Sequence, residues 1–212
     1  MLNIACVLKT NKDSIYSEEW VDKLFNQVTR HVNIPFKFTC LSNISTKFNT
    51  VPLVTDSQSF WNKIELFRPN LFEGPVLYFD LDVLICKDIT EVINKLQVLN
   101  KFVMVKEPYQ EIVNSSIMYW SGDYSYLYNN YIKDREQICE EYKRVPRYGD
   151  QSYISEHVEY DLIENYSPEN FINWKHHKVD TLINDPSILI FTSRHQKPSN
   201  NTELEIVQNN WR

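Results

Sequence analysis

Two aspartates separated by one residue, Asp80 and Asp82, follow the apolar run Val76-Leu-Tyr-Phe79 and carry the strongest chemical signal in the chain. Side chains alternate along an extended segment, so the two carboxylates share one side while Leu81 points to the other. Two such acids can hold one hard divalent cation, Mn²⁺ or Mg²⁺, and a strand end leaves room beside it for a phosphorylated substrate. A strand that merely ends in solvated acids has the same three letters, and the flanking elements decide between the two.

Those elements alternate between strand and helix. Residues 2–8 form an apolar first strand, and a helix starts near Ser17, with Glu18 and Glu19 in its first turn and Val21, Leu24, Phe25 and Val28 on one face. Phe36 to Leu41 reads as a second strand and Val51 to Val54 as a short third. Residues 58–67 suit a helix with Phe60, Ile64 and Phe67 on one face and Lys63 beside them, stopped by Pro69. Beyond the acid pair, Asp88 caps a helix with Glu91 in its third position. Phe102 to Val105 and Ile117 to Trp120 are further strands. Tyr124 to Tyr142 is a tyrosine-rich helical stretch whose rings read as core and amphipathic surface rather than as a sugar-stacking platform, and Arg144 to Arg147 is a basic loop. A helix opens at Gly149-Asp150-Gln151, a last strand covers Ile188 to Phe191, and the final residues read as a peripheral tail.

This order predicts an α/β fold with a mostly parallel central sheet flanked by helices, in one domain over residues 1–198 with a tail at 199–212. A chain of 212 residues suffices for one good core. With a net charge of −6 it is unsuited to nonspecific nucleic-acid binding, which depends on many Lys and Arg contacts to phosphate. No stretch approaches the ~18 apolar residues of a membrane span. The first residues lack a basic start and a long apolar stretch, so a cytoplasmic protein is expected. Cys6, Cys40, Cys86 and Cys139 lack metal-ligand spacing and read as reduced structural thiols. With glycines only at 74, 122 and 149, neither a Walker-type loop nor a dinucleotide fingerprint can be written, so metal and side chains would have to hold any diphosphate.

Five blocks in order carry a resemblance. They are Trp61-x-Lys63-x-Glu65-Leu66-Phe67-x-Pro69, Val76 to Asp82, Asn114-Ser115-Ser116-Ile117-Met118-x-Trp120, Gly149-Asp150-Gln151 and His195-x-Lys197-Pro198. The set resembles the glycogenin-like retaining glycosyltransferases of the GT-A fold, a Rossmann-like architecture, and especially their short bacterial and viral relatives. The resemblance implies transfer of a sugar from a nucleoside-diphosphate sugar, most simply a UDP-sugar, to a carbohydrate or other hydroxyl acceptor. It implies Mn²⁺ (or Mg²⁺) held by Asp80, Asp82 and His195. It places Lys63, Arg194 and Lys197 toward phosphate, Asn114, Ser115 and Ser116 beside the donor sugar, and Cys6, Lys9 and Leu81 on the donor-binding surface. Asp150 and Gln151 become the catalytic pair near the transferred sugar. Two departures stand out: the family's Asn-Ser-Gly is Asn114-Ser115-Ser116, and His195 lies three residues beyond the family's position after the last strand. Acceptor contacts are expected on the variable loops Glu107 to Val113 and Arg144 to Tyr148.

Two other readings stay open on the residues alone. Phe79-Asp80-Leu81-Asp82-Val83-Leu84 also fits the opening of a haloacid-dehalogenase-like phosphatase, with Asp80 as nucleophile, Asp82 as acid/base and Mg²⁺ bound. That fold usually begins at this strand, whereas 75 residues of α/β pattern precede it here. The last strand is also followed by Thr-Ser-Arg-His rather than by the acidic pair such enzymes need. The third reading is a sugar- or nucleotide-binding protein that keeps the fold without turnover.

Overall fold

The computed structural model describes residues 1–107, 112–175, 185–192 and 196–212. The chain opens with β1 (Leu2–Leu8), α1 (Glu18–His31), β2 (Phe36–Ser42) and β3 (Asn49–Pro52), followed by a 3₁₀ helix at Ser59–Phe67. Next come β4 (Val76–Phe79), β5 (Leu84–Ile85), α2 (Thr90–Gln97), β6 (Phe102–Lys106) and β7 (Val113–Trp120). The later elements are α3 (Ser125–Lys133), α4 (Arg135–Glu141), β8 (Lys143–Arg144), β9 (Arg147–Tyr148) and α5 (Gly149–His157), then β10 (Tyr160–Leu162), β11 (Ile172–Lys175), β12 (Ile188–Phe191) and α6 (Glu205–Asn210).

Seven strands form the central sheet in the order β10-β6-β7-β4-β1-β2-β3. Within it β7 runs against the other six, pairing antiparallel with both β4 and β6. Both faces are covered, as a mostly parallel sheet requires. Ile4, Cys6 and Leu8 face a core shared with α1 and α2, while Ala5 and Tyr78 face a second core built from the 3₁₀ helix, α3 and α5. A smaller sheet, β11-β12-β5, closes one end. From β1 the sheet grows through β2 on one side and β4 on the other, and such a reversal of strand order is where open α/β sheets bind ligands, at the carboxyl ends of the strands.

The elements differ from their sequence reading in instructive ways. Ser17 is the N-cap residue of α1 but its hydroxyl makes no capping bond, and Glu18 instead accepts the Lys47 N–H at 2.6 Å. Asp88 does accept the Thr90 N–H, at 2.8 Å. The 58–67 segment is wound at three residues per turn, which stacks residues i and i+3. Trp61, Ile64 and Phe67 therefore form one buried row, while Phe60, Lys63 and the buried Leu66 align on a neighbouring one, Phe60 toward α5 and Lys63 toward the end of β4. The tyrosine-rich stretch breaks at Asp134 into α3 and α4, with Tyr131 stacked on Trp61 at 5.2 Å. Arg144 to Arg147 lies in a short hairpin rather than a loop, and β7 begins four residues earlier than Ile117, taking in the polar Asn114, Ser115 and Ser116. The segment after residue 198 is docked: Val207 of α6 is buried against Leu84, Leu189 and Phe191, Trp211 packs on Trp20 at 5.0 Å, and Arg30 donates to the carbonyls of Asn210 and Arg212. Among the described residues no helix is long and apolar enough to cross a membrane.

Candidate active site

Strand β4 ends at Phe79, and Asp80 is fixed as the last ladder position because its N–H donates to the Ser116 carbonyl at 2.8 Å. The chain then turns, Val83 N–H donating to the Asp80 carbonyl at 3.2 Å, so Asp82 sits on a turn rather than on continuing strand. Both acids stay at the carboxyl end of β4, and the turn buries Leu81 in the α1-side core instead of pairing it in the sheet.

Three elements converge on Asp80. Lys63 of the 3₁₀ helix approaches its two oxygens at 2.9 and 3.1 Å, and the Tyr78 hydroxyl donates to Oδ1 at 2.5 Å. Ser116 of β7 also favours the charged form of this carboxyl. The Lys63 ammonium further donates to Ser115 Oγ at 3.0 Å and stands 3.6 Å from Asp150 Oδ2 of α5, to which Ser115 donates at 2.6 Å. Asp82 accepts the Tyr16 hydroxyl at 2.8 Å and the Lys197 ammonium on the same oxygen. Asn114 completes the wall, accepting the Ser116 N–H at 2.7 Å and donating to the buried Glu107 at 3.2 Å.

This geometry sets the charges. Burial pushes the Asp80 carboxyl up, but the Lys63 ammonium, the hydrogen bonds from Tyr78 and Lys63, and the Ser116 side chain outweigh it and hold Asp80 below the usual carboxylate range. Burial also raises Asp150, and Asp80 adds repulsion, so Lys63 and Ser115 offset only part of the rise and Asp150 stays above its ordinary value. Burial disfavours a charged Lys63, yet Asp150, Asp80 and Asp82 together keep it an ammonium more firmly than in water. Tyr16 and Tyr78 are pushed up by burial and by the nearby acids, so both remain protonated donors.

Asp150 owes its position to Gly149. That residue has φ +68°, and a Cβ there would lie 2.8 Å from the Phe60 ring, so only glycine lets α5 start this close to the 3₁₀ helix. Gln151, on the next position, is half-buried.

Of the residues singled out from sequence, the fold brings Asp80, Lys63, Ser115, Ser116 and Asp150 into one hydrogen-bonded set with Asn114 beside it, and Asp82 with Lys197 into a second set that acts on the first through its charge. Cys6 is fully buried with its thiol against Cys40, Leu81 is core, and Lys9 turns to Asp56 at 2.9 Å. Arg194, His195 and residues 108–111 of the expected acceptor loop lie outside the described residues. The sequence reading missed Tyr16 and Tyr78. Tyr78 had a signal, because it stands two residues before Asp80 on the same strand face; Tyr16 had none.

Among the described residues no three His, Cys, Asp or Glu side chains group as cation ligands. The donor chemistry nevertheless suits a hard divalent ion. Asp80 and Asp82 offer carboxylate oxygens, and such ions commonly take one or two carboxylates and complete their shell with substrate phosphates. Three carboxylates face two ammonium groups here, which leaves a formal single negative charge for a cation to meet.

The fold has close counterparts among solved structures. The glycosyltransferase GlyE of Streptococcus pneumoniae TIGR4 superposes with a TM-score of 0.66 at 15% identity, over 95% of this chain and 57% of that one. The galactosyltransferase LgtC, solved with donor and acceptor sugar analogs, gives 0.61 at 13% identity over 92% of this chain and 88% of that one. The bifunctional glycosyltransferase WbbM gives 0.61 at 12% identity, over 98% of this chain and 48% of that one. The chain thus spans little more than half of GlyE and less than half of WbbM. No family model and no curated protein sequence matches the chain. The architecture is that of the GT-A glycosyltransferases, and these structural neighbours are themselves glycosyltransferases.

Proposed function

We propose that the protein is a glycosyltransferase that moves a sugar from a nucleoside-diphosphate donor, with a UDP-sugar the leading choice, to a carbohydrate or other hydroxyl acceptor, with retention of anomeric configuration. The observation that carries the reading is the charged grouping itself: Asp80 and Asp150 on Lys63, and Asp82 on Lys197, at the carboxyl end of β4, in a fold whose neighbours are glycosyltransferases. A crevice at that point is where open α/β sheets bind their ligands.

Each side chain has a task that its surroundings explain. Asp80 and Asp82 would hold Mn²⁺ or Mg²⁺, with His195 a third candidate ligand by resemblance. When bound, such an ion supplies Lewis-acid stabilisation to the departing diphosphate. Lys197, on a long flexible stem, can move to a phosphate oxygen. Lys63, pinned by three partners, fixes the spacing between Asp80 and Asp150. Asp150, buried and held by Ser115, faces the place of the transferred sugar, where its carboxylate stabilises positive charge growing at the anomeric carbon. Gln151, half-buried on the next position, can offer its amide to the same centre.

A thermal-shift panel of nucleoside diphosphates, each with and without Mn²⁺, tests the reading. A ligand that binds only the native state raises its stability by mass action, about 2.7 kcal/mol at a hundred times Kd. UDP with Mn²⁺ should give the largest rise. If no nucleoside diphosphate shifts the transition in either condition, the donor assignment falls.

A further inference from the structure

Lys63 and Lys197 both neutralise the acid pair, but they are held differently. Lys63, on the 3₁₀ helix, is fastened by Asp80 after β4, Ser115 of β7 and Asp150 of α5. Lys197 lies beyond β12, its backbone tied into the turn at Pro198–Asn200 by the Asn200 N–H at 2.9 Å and the Asn201 side chain at 2.8 Å. Its ammonium alone reaches into the cluster, and among the described residues it contacts Asp82. The pair is shielded, with side-chain exposures of 13% for Lys197 and 9% for Asp82, so water does little to weaken it. Asp82 Oδ2 is thus shared between the Tyr16 hydroxyl and the Lys197 ammonium.

We infer that Lys197 is a resident cation of the acid pair, one that occupies Asp82 until an anionic diphosphate draws it away, and that it thereby couples cation binding to diphosphate binding. This inference rests on the transferase reading given above. With the ammonium on Asp82, a divalent ion arriving alone must displace it. With a diphosphate present the ammonium has a second partner, and Asp82 is released. Each ligand then favours the same position of one side chain, so each strengthens the other's binding by the same factor. An ordered site of this kind resists adventitious metal while no substrate is near.

Calorimetric titration of the full chain with Mn²⁺ alone, with UDP alone, and with Mn²⁺ at saturating UDP tests it, using wild type, Lys197→Met, Lys197→Gln and the distant surface variant Lys101→Met. In the wild type, UDP should tighten Mn²⁺ binding by about tenfold or more. In Lys197→Met and Lys197→Gln, Mn²⁺ alone should bind about tenfold more tightly than to wild type, although UDP alone binds less well. Lys101→Met should leave Mn²⁺ binding unchanged. If both ligands bind wild type but Mn²⁺ alone binds neither Lys197 variant more tightly, the inference is overturned and the transferase reading stands. The inference is overturned in the same way if Lys101→Met tightens Mn²⁺ as much, since the effect would then be one of overall charge. If neither UDP nor Mn²⁺ binds wild type, the transferase reading fails and the inference fails with it.

Discussion

Lys63→Met is expected to lower the melting temperature by roughly 10 °C at neutral pH, a loss of about 3–5 kcal/mol. The substitution keeps most of the side chain's bulk but leaves Asp80 and Asp150 facing each other without the ammonium between them. Breaking one partner out of a buried ionic group is costly because the remaining charges stay desolvated. The pH dependence separates this cause from a packing defect. In the wild type Asp80 is held below its ordinary value, so its contribution is present at neutral pH and is lost as pH falls through that depressed folded value. Without Lys63, burial and mutual repulsion place both carboxyls above their ordinary value of about 4. A raised carboxyl destabilises the fold at neutral pH and ceases to do so as it protonates. The gap between variant and wild type should therefore narrow as pH falls from about 7 toward 4. Chemical denaturation at several pH values measures it, and a gap independent of pH would assign the loss to packing.

Asp150→Asn should show the opposite pattern, with turnover lowered by about a hundredfold or more while stability is kept or gained. The carboxylate at 150 is buried and carries a raised pKa, so its charge is held at a cost to the fold. Asparagine retains an oxygen for the Ser115 hydroxyl and removes that charge. What disappears is the negative potential toward the sugar, an interaction that matters in the transition state. The loss should accordingly fall on kcat rather than on donor affinity. Steady-state kinetics beside a melting curve reads both, and a variant with full kcat would remove Asp150 from the chemistry.

Much of this arrangement is legible in the residues, for physical reasons that vary by element. Strands β1 and β12 are largely apolar, buried runs, and β2 is buried from Phe38 onward, so little in their sequences competes with a strand reading. The start of β7 is polar because Asn114, Ser115 and Ser116 spend their side chains on the site, which hides a strand from any hydrophobic pattern. The 58–67 segment shows an apolar helical pattern, but pattern alone does not distinguish 3.6 from 3.0 residues per turn, and that choice puts Phe60 and Lys63 in one row. The C-terminal segment looks peripheral by composition, yet a buried Val207 and a single Trp211 suffice to dock it. Within the site, Asp80, Asp82, Lys63 and Asp150 could be named from spacing and resemblance. That Lys197 would lie on Asp82, and Tyr16 beside it, depends on chain crossings that no local signal encodes.

The departure at Ser116 acquires a meaning from its surroundings. The backbone carbonyl of Ser116 receives the Asp80 N–H at 2.8 Å and its side chain favours the ionised Asp80 carboxyl, so this position helps set both the place and the charge of the first acid. Glycine at 116 would keep the backbone bond and lose the side chain's pull toward the ionised form.

The most direct measurement is release of nucleoside diphosphate from a panel of nucleotide-sugars, with Mn²⁺ and with chelator, for wild type and Asp82→Ala. A glycosyltransferase of the kind proposed should release UDP from at least one UDP-sugar in the presence of Mn²⁺, and Asp82→Ala should abolish that release while still unfolding cooperatively. A wild type that releases nothing from any common donor, or that instead frees phosphate from a generic phosphoester, would contradict the account.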